Sequence, residues 1–294
     1  MTILVTGASG NIGRHVVSGL VGAGQRVRAM TRTPGAGRLP HGTEVVYGDF
    51  DDPKTFDAVL EGIERVYLFS AATAGFVDRA RAAGVGRFVV HSAAAAAFPN
   101  GDDPGDPGIS ALRRHLADER VGHRAIERLA EESGAEWTHV RMGLLAANAL
   151  DWADPIRAGE PVRGPYGGAG EPLVHEADVA EVAVAALLTD AHIGAAYTLT
   201  GPAKVTQSEQ VRTIGAAIGR PAAFEEITPE QARTEWYDPD NGMDDDVLDW
   251  LLELHAASSD GPSVLTPTST YEQITGRPPR PFTRWAADHA DDFR

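Results

Sequence analysis

An apolar run, Ile3-Leu4-Val5, leads without a spacer into "TGASGNIGR", which places glycines at Gly7, Gly10 and Gly13. No other stretch constrains the fold as strongly. A strand that feeds a glycine turn and then a helix is the first part of a βαβ unit, and the helix must pack back onto a parallel sheet. Each glycine has its own task. Gly7 allows the tight turn, Gly10 lets the backbone approach a pyrophosphate, and Gly13 lets helix and strand pack closely. The helix start adds backbone N–H groups and the positive end of its dipole. Ser9, Gly10, Asn11, Ile12, Gly13 and Arg14, with Gly7 before them, are therefore the candidate phosphate cradle.

The first half of the chain repeats this rhythm. Residues 2–6, 25–31, 44–49, 65–70, 87–92 and 136–142 read as strands, and 11–23, 53–62, 76–84 and a stretch within 111–133 read as helices. The alternation predicts an α/β fold, a Rossmann-type doubly wound parallel sheet whose loops after Thr6, Thr31, Ser70 and Ser92 face one crevice. Past residue 142 the rhythm loosens. Residues 157–172 are rich in Gly and Pro and read as loop, 176–189 as a helix, and 195–200 as a strand returning to the sheet. Residues 206–219, 244–257 and 282–293 read as further helices. The expected division is a dinucleotide-binding core over 1–145, completed by about 176–200, and a smaller, interleaved C-terminal substrate lobe over 146–175 and 201–294.

Charge and composition remove several classes of function. A net charge of −16 repels polyanions, which argues against nucleic-acid binding. No stretch is long and apolar enough to span a membrane, and strand-like sequence from Thr2 leaves no room for a signal peptide. The absence of cysteine excludes disulfides, thiolate metal sites and cysteine nucleophiles. A cytoplasmic protein with a small-molecule partner and no metal is expected. Within this acidic chain no Asp or Glu precedes Glu44, whereas Arg14, Arg26, Arg28, Arg32 and Arg38 do. An NAD site usually places an acid after the second strand; here Thr31-Arg32-Thr33 stands there. Arg32, helped by Arg14, suits a 2′-phosphate, so the expected cofactor is NADP, with NADPH preferred over NADH.

"TGASGNIGR", "MTRTP", "YGDFDDPKTFDAVLEG", "VHEADVAEVAVAALL" and "YEQITGRPPRPFTRWAADHA" together resemble the NmrA-like, atypical short-chain dehydrogenase/reductases along nearly the whole chain. The resemblance implies a nicotinamide dinucleotide, with Asp49 and Phe50 near the adenine and Ser70, Ala71 and Ser92 lining the cofactor. It implies Arg141 at the end of the sixth strand and Asp178 as a structural acid at a helix start. Most reductases of the wider superfamily carry a Tyr-x-x-x-Lys pair with an upstream Ser or Thr. Here none of the six tyrosines (Tyr47, Tyr67, Tyr166, Tyr197, Tyr237, Tyr271) has a lysine four residues later, and the only lysines are Lys54 and Lys204. Alignment of 119–134 on Glu127 and Ser133-Gly134 puts Glu119 in the tyrosine's place and His123 in the lysine's. Upstream stand His91 and Ser92, followed by alanines 93–97.

Three readings follow from the missing pair. The first is a reductase that delivers hydride to a ketone or quinone, on an aromatic or polycyclic small molecule, and takes its proton from water or substrate. The second is an NADP-binding redox sensor that acts through a protein partner. The third is an isomerase or epimerase, whose relatives usually keep the tyrosine. The reductase is the expectation. Its candidate catalytic residues are Ser92, His91, Glu119 and His123, and each also has an ordinary role. His91 either polarises a carbonyl or sits buried and hydrogen-bonded, Ser92 is a donor or a strand-end cap, and His123 bonds a ribose or lies on a helix face. Glu119 as an acid needs a raised pKa, which sequence does not supply. In the lobe, Trp152, Tyr166, Trp236, Tyr237 and Trp250 are either pocket or core. The acidic run 238–246 reads as a lead into a helix, because Gly242 falls at the wrong place for a calcium loop.

Overall fold

In chain order the strands are β1 (Thr2–Val5), β2 (Arg26–Thr31), β3 (Glu44–Tyr47), β4 (Arg65–Leu68), β5 (Arg87–Ala93), β6 (Glu136–Met142), β7 (Val162–Gly164), β8 (Gly170–Glu171), β9 (Ala195–Leu199), β10 (Val205–Thr206) and β11 (Phe224–Glu226). The α-helices are α1 (Gly13–Gly22), α2 (Phe56–Leu60), α3 (Ala74–Ala82), α4 (Ala111–Glu132), α5 (Ala153–Ala158), α6 (Glu176–Leu188), α7 (Gln207–Ile218), α8 (Pro229–Trp236), α9 (Asp245–Ser259), α10 (Thr270–Thr275) and α11 (Phe282–Asp288). They come from a computed structural model that describes residues 1–35, 39–99 and 102–294. Arg38, one of the early arginines, lies outside the described residues. The chain divides into two compact units, one of Met1–Phe98, Arg120–Met142 and Glu176–Leu199, the other of Pro99–Glu119, Gly143–His175 and Thr200–Arg294.

The first unit is built on a seven-stranded sheet in the order β3-β2-β1-β4-β5-β6-β9, with every pairing parallel. The order reverses between β1 and β4, which is where such sheets open a ligand crevice. Leu4, Val66, Leu68, Phe88 and Val90 share one apolar cluster with α2, α3 and α4. Ile3, Val5, Tyr67 and Val89 alternate to the other face and are also buried, so the strands read as continuous apolar runs. Helix α1 buries Val16, Val17 and Leu20. Its Gly19 permits close approach to α6, since a Cβ there would stand 3.0 Å from Cγ2 of Val184. Strands β5 and β6 pair from Arg87↔Glu136 to Ala93↔Met142, which sets His91 and Ser92 beside Val140 and Arg141. Arg87 is only 1% exposed and anchors this edge. Its guanidinium donates to Glu136 and Asp190, each at 2.6 Å, and to the Thr189 carbonyl at 2.7 Å.

The second unit packs around Ile156, Val162, Val211, Ile214, Trp285 and Phe293. Strands β7 and β11 pair in parallel and β8 and β10 antiparallel. Two of these four, β7 and β8, lie inside 157–172, read from sequence as loop; at three and two residues they are too short to show a period. Helix α8 was also not anticipated. Only Ala232 of it is buried, so it carries no apolar stripe, and its start is marked by a capping box of Thr228 and Gln231. The acidic run behaves as a helix lead: Gly242 takes φ +86°, and the Asp244 side chain accepts from Val247 N–H at 3.0 Å at the start of α9. No helix among the described residues is long and apolar enough to cross a membrane.

Candidate cofactor and active site

The turn after β1 is fixed by contacts that only glycine permits. Thr6 is buried; its hydroxyl donates to the Tyr67 carbonyl and accepts from Phe69 N–H, both at 2.8 Å, which ties the ends of β1 and β4 together. Gly7 takes φ +62°, the left-handed region, and a Cβ there would meet the Phe69 ring at 3.1 Å. Gly10 N–H donates to the Gly7 carbonyl at 3.1 Å. At Gly13 a Cβ would stand 2.1 Å from that same carbonyl oxygen. Helix α1 begins without a side-chain cap and without an acid in its first turn, while Ser9, Gly10 and Asn11 are exposed. An open, uncapped, glycine-lined helix start fits a pyrophosphate.

The neighbouring loops converge on this turn. The Ser9 hydroxyl lies 3.2 Å from that of Thr31, whose oxygen also accepts from Thr33 N–H at 3.2 Å. Arg32 between them is exposed and makes no ion pair or side-chain hydrogen bond among the described residues. Arg14, expected to help it, lies 3.9 Å from the fully buried carboxylate of Glu176. Asp49 N–H donates to the Thr55 hydroxyl at 3.3 Å and its carboxylate accepts from Asp51 N–H at 3.1 Å, while Phe50 packs edge-on against Phe76. Ser70 is half-buried and Ala71 exposed in the loop after β4. Buried Ile12 precedes α1, and buried Asp178 stands in the first turn of α6.

At the end of β5, His91 and Ser92 have different partners. His91 Nδ1 lies 2.7 Å from the Tyr67 hydroxyl. Burial, with His123 as a lesser influence, pushes the His91 pKa down to about 3, and burial raises that of Tyr67. Neither group changes protonation near neutrality. Ser92 is buried and donates to Glu127 Oε1 at 2.7 Å, so its proton is committed. Arg141 grips the same carboxylate with two bonds of 2.7 and 2.8 Å, and Arg124 adds a third cationic contact. Burial alone would raise the Glu127 pKa, but the bonds from Arg141 and Ser92 outweigh it and hold the pKa at about 2. Glu127, Glu131 and His139 offer ligand atoms within 4.8 Å of one another, but the two arginines already occupy Glu127. His123 belongs to the first unit and Glu119 to the second. Sequence reasoning missed Tyr67 as the partner of His91 and Glu127 as the hub. The available signal for Tyr67 was its alternation onto the face opposite the apolar cluster of Leu68.

The second unit holds a cavity of about 600 Å³. Trp152, Trp236 and Trp250 line it, whereas Tyr166 and Tyr237 do not.

Comparison with known proteins agrees with this geometry. A family described as NAD(P)H-binding matches residues 7–190. The (4-alkanoyl-5-oxo-2,5-dihydrofuran-3-yl)methyl phosphate reductase of Streptomyces griseus is 36% identical, over 99% of each chain. The NAD(P)H azoreductase of Xenophilus azovorans is 31% identical, again over 99% of each. Among solved structures, an NADPH-dependent quinone oxidoreductase of Escherichia coli superposes with a TM-score of 0.73 at 22% identity, covering 97% of this chain and 98% of that one. That last likeness is one of fold.

Proposed function

The chain belongs to the NAD(P)H-binding, NmrA-like family of atypical short-chain dehydrogenase/reductases, and from that premise we propose that it is an NADPH-dependent reductase of an aromatic ketone or quinone. One observation carries the reading. The glycine turn is complete, while at the end of β5 His91, with its pKa pushed down to about 3, Tyr67, with its pKa raised, and Glu127, held at about 2, are not acids of matched pKa in place of the missing Tyr-Lys pair. NADPH, when bound, supplies hydride. The chain's own part is to hold the cofactor and acceptor in register and to exclude competing geometries. We assign the cofactor to the first unit. The neutral His91, oriented by Tyr67, polarises a carbonyl by a hydrogen bond, and the proton comes from water or substrate. Ser92 serves as an anchor. The relatives support the class of reaction, since both are named as reductases.

Consumption of NADPH, with NADH alongside, against quinones and hydroxylated polycyclic ketones tests the proposal. Turnover on one of them supports it; tight NADPH binding with no turnover on any overturns it in favour of a sensor. Arg32→Ala is expected to weaken NADPH roughly 10- to 100-fold, the cost of one charge-assisted phosphate bond, with little effect on NADH. Equal weakening of both cofactors removes the role assigned to Arg32. Tyr67→Phe is expected to keep turnover within about tenfold of the parent, because a true general acid contributes ~10²-fold or more. A loss larger than that makes Tyr67 the proton donor.

A further inference from the structure

The turn that carries Arg32 is braced by one side chain that holds it at two points. Strand β2 ends at Thr31, which pairs with Tyr47 of β3 and whose carbonyl accepts from Gly48 N–H at 3.2 Å. The strand end is therefore fixed by main chain alone. The Thr31 side chain, in a residue only 6% exposed, has a different task. Its hydroxyl oxygen accepts from Thr33 N–H at 3.2 Å and lies 3.2 Å from the Ser9 hydroxyl. The first bond closes a turn of the kind that serine and threonine make two residues ahead, with Arg32 at its middle. The second ties that turn to the glycine loop, beside a main-chain bond from Ala8 N–H to the Met30 carbonyl at 3.3 Å. Arg32 is exposed and makes no ion pair or side-chain hydrogen bond among the described residues. Arg14 and Arg28, by contrast, face Glu176 at 3.9 Å and Glu44 at 3.0 Å.

We propose that Thr31 is a positioning residue that sets the preference for NADPH over NADH by holding the Arg32 backbone against the glycine turn. The inference rests on the Arg32 assignment above and is independent of turnover. An arginine side chain is long and loses rotamer freedom when it grips a phosphate. A loose backbone beneath it adds its own ordering cost, whereas a braced one leaves only the side chain to be ordered. The two cofactors share the pyrophosphate and differ by the 2′-phosphate. The glycine turn acts on both alike, and the Arg32 turn acts on one. A brace on that turn therefore shows in the preference between them. Threonine suits the task. Its hydroxyl has one proton and two lone pairs, so it takes the Thr33 N–H and still bonds Ser9. Valine has the same branched shape without the hydroxyl, so Thr31→Val keeps the strand end and loses both ties.

Calorimetric titration with NADPH and with NADH tests this without an acceptor. Thr31→Val is expected to weaken NADPH about fivefold, the worth of one neutral hydrogen bond, and NADH less than twofold. Thr31→Ser keeps the hydroxyl and should bind both within about twofold of the parent. In the Arg32→Ala background, adding Thr31→Val should weaken NADPH no further, because a residue that acts through Arg32 has nothing left to position. Equal weakening of both cofactors by Thr31→Val makes Thr31 structural and overturns the proposal, as does parental NADPH binding or an additive double variant. Should valine unfold the chain, Ser9→Ala reads the same tie from an exposed position and should lower the preference for NADPH about threefold; an unchanged preference there also overturns it. Arg32→Ala separates the two levels. If it loses NADPH selectively and Thr31→Val does not, the positioning role alone fails. If it weakens both cofactors equally, the Arg32 assignment fails and the positioning role goes with it.

Discussion

Replacing Gly13 with alanine is expected to weaken NADPH binding roughly 10- to 100-fold and to lower thermal stability at the same time. The added Cβ would sit 2.1 Å from the Gly7 carbonyl oxygen and 2.9 Å from the Ala8 Cα. Both are backbone atoms of the turn, so no side chain can swing aside and the turn itself must move. Overpacking of this kind costs about 1–3 kcal/mol, and the displaced atoms are the ones that would cradle the pyrophosphate. Gly10→Ala separates the two effects. Its Cβ would meet only the Gly7 oxygen, at 3.3 Å, and Gly10 is exposed. The cofactor-free protein should therefore keep its melting temperature while NADPH affinity falls. Calorimetric titration with NADPH, beside thermal unfolding without it, reads both. Parental NADPH affinity in Gly13→Ala shows that the turn is not the cradle.

That contrast explains why this part of the site was legible in sequence. Glycine spacing states a steric requirement, and the requirement is local: the turn spans seven residues and its strand and helix adjoin it. The strands were legible because a parallel sheet buried on both faces produces apolar runs, and β6 appears over the same residues, Glu136–Met142, that sequence marks out. The catalytic candidates were legible only as names. His91 and Ser92 stand out at a strand end, but what each can do depends on Tyr67 and Glu127, 24 and 35 residues away. Sequence distance hid the partners, and the partners set the protonation states. The second unit was least legible. Five large aromatics looked alike there, and only the packing of α8 and α9 separates Trp236 and Trp250, which line the cavity, from Tyr237, which is 50% exposed.

Glu127→Ala is expected to destabilise the first unit by about 3–5 kcal/mol, the usual cost of leaving a buried ion-pair network without its anion. Glu127 is fully buried, and its two oxygens satisfy Ser92, Arg141 and Arg124. Alanine strands the Arg141 guanidinium, whose side chain is 15% exposed, and leaves the buried Ser92 hydroxyl without its acceptor. Glu127→Gln keeps an acceptor for Ser92 but removes the charge, so it should fall between alanine and the parent. The carboxylate also predicts a pH dependence of definite sign. Its folded pKa of about 2 lies below the ordinary value of 4.5, so its contribution is fully present above 4.5 and is lost as pH falls through about 2. Denaturant unfolding across that range should show the parent converging on Glu127→Ala as acid is added. A gap between them that stays constant down to pH ~2 means that the hub carries no ionised carboxylate, and then Ser92 is no longer bound to one and regains its candidacy as a proton donor.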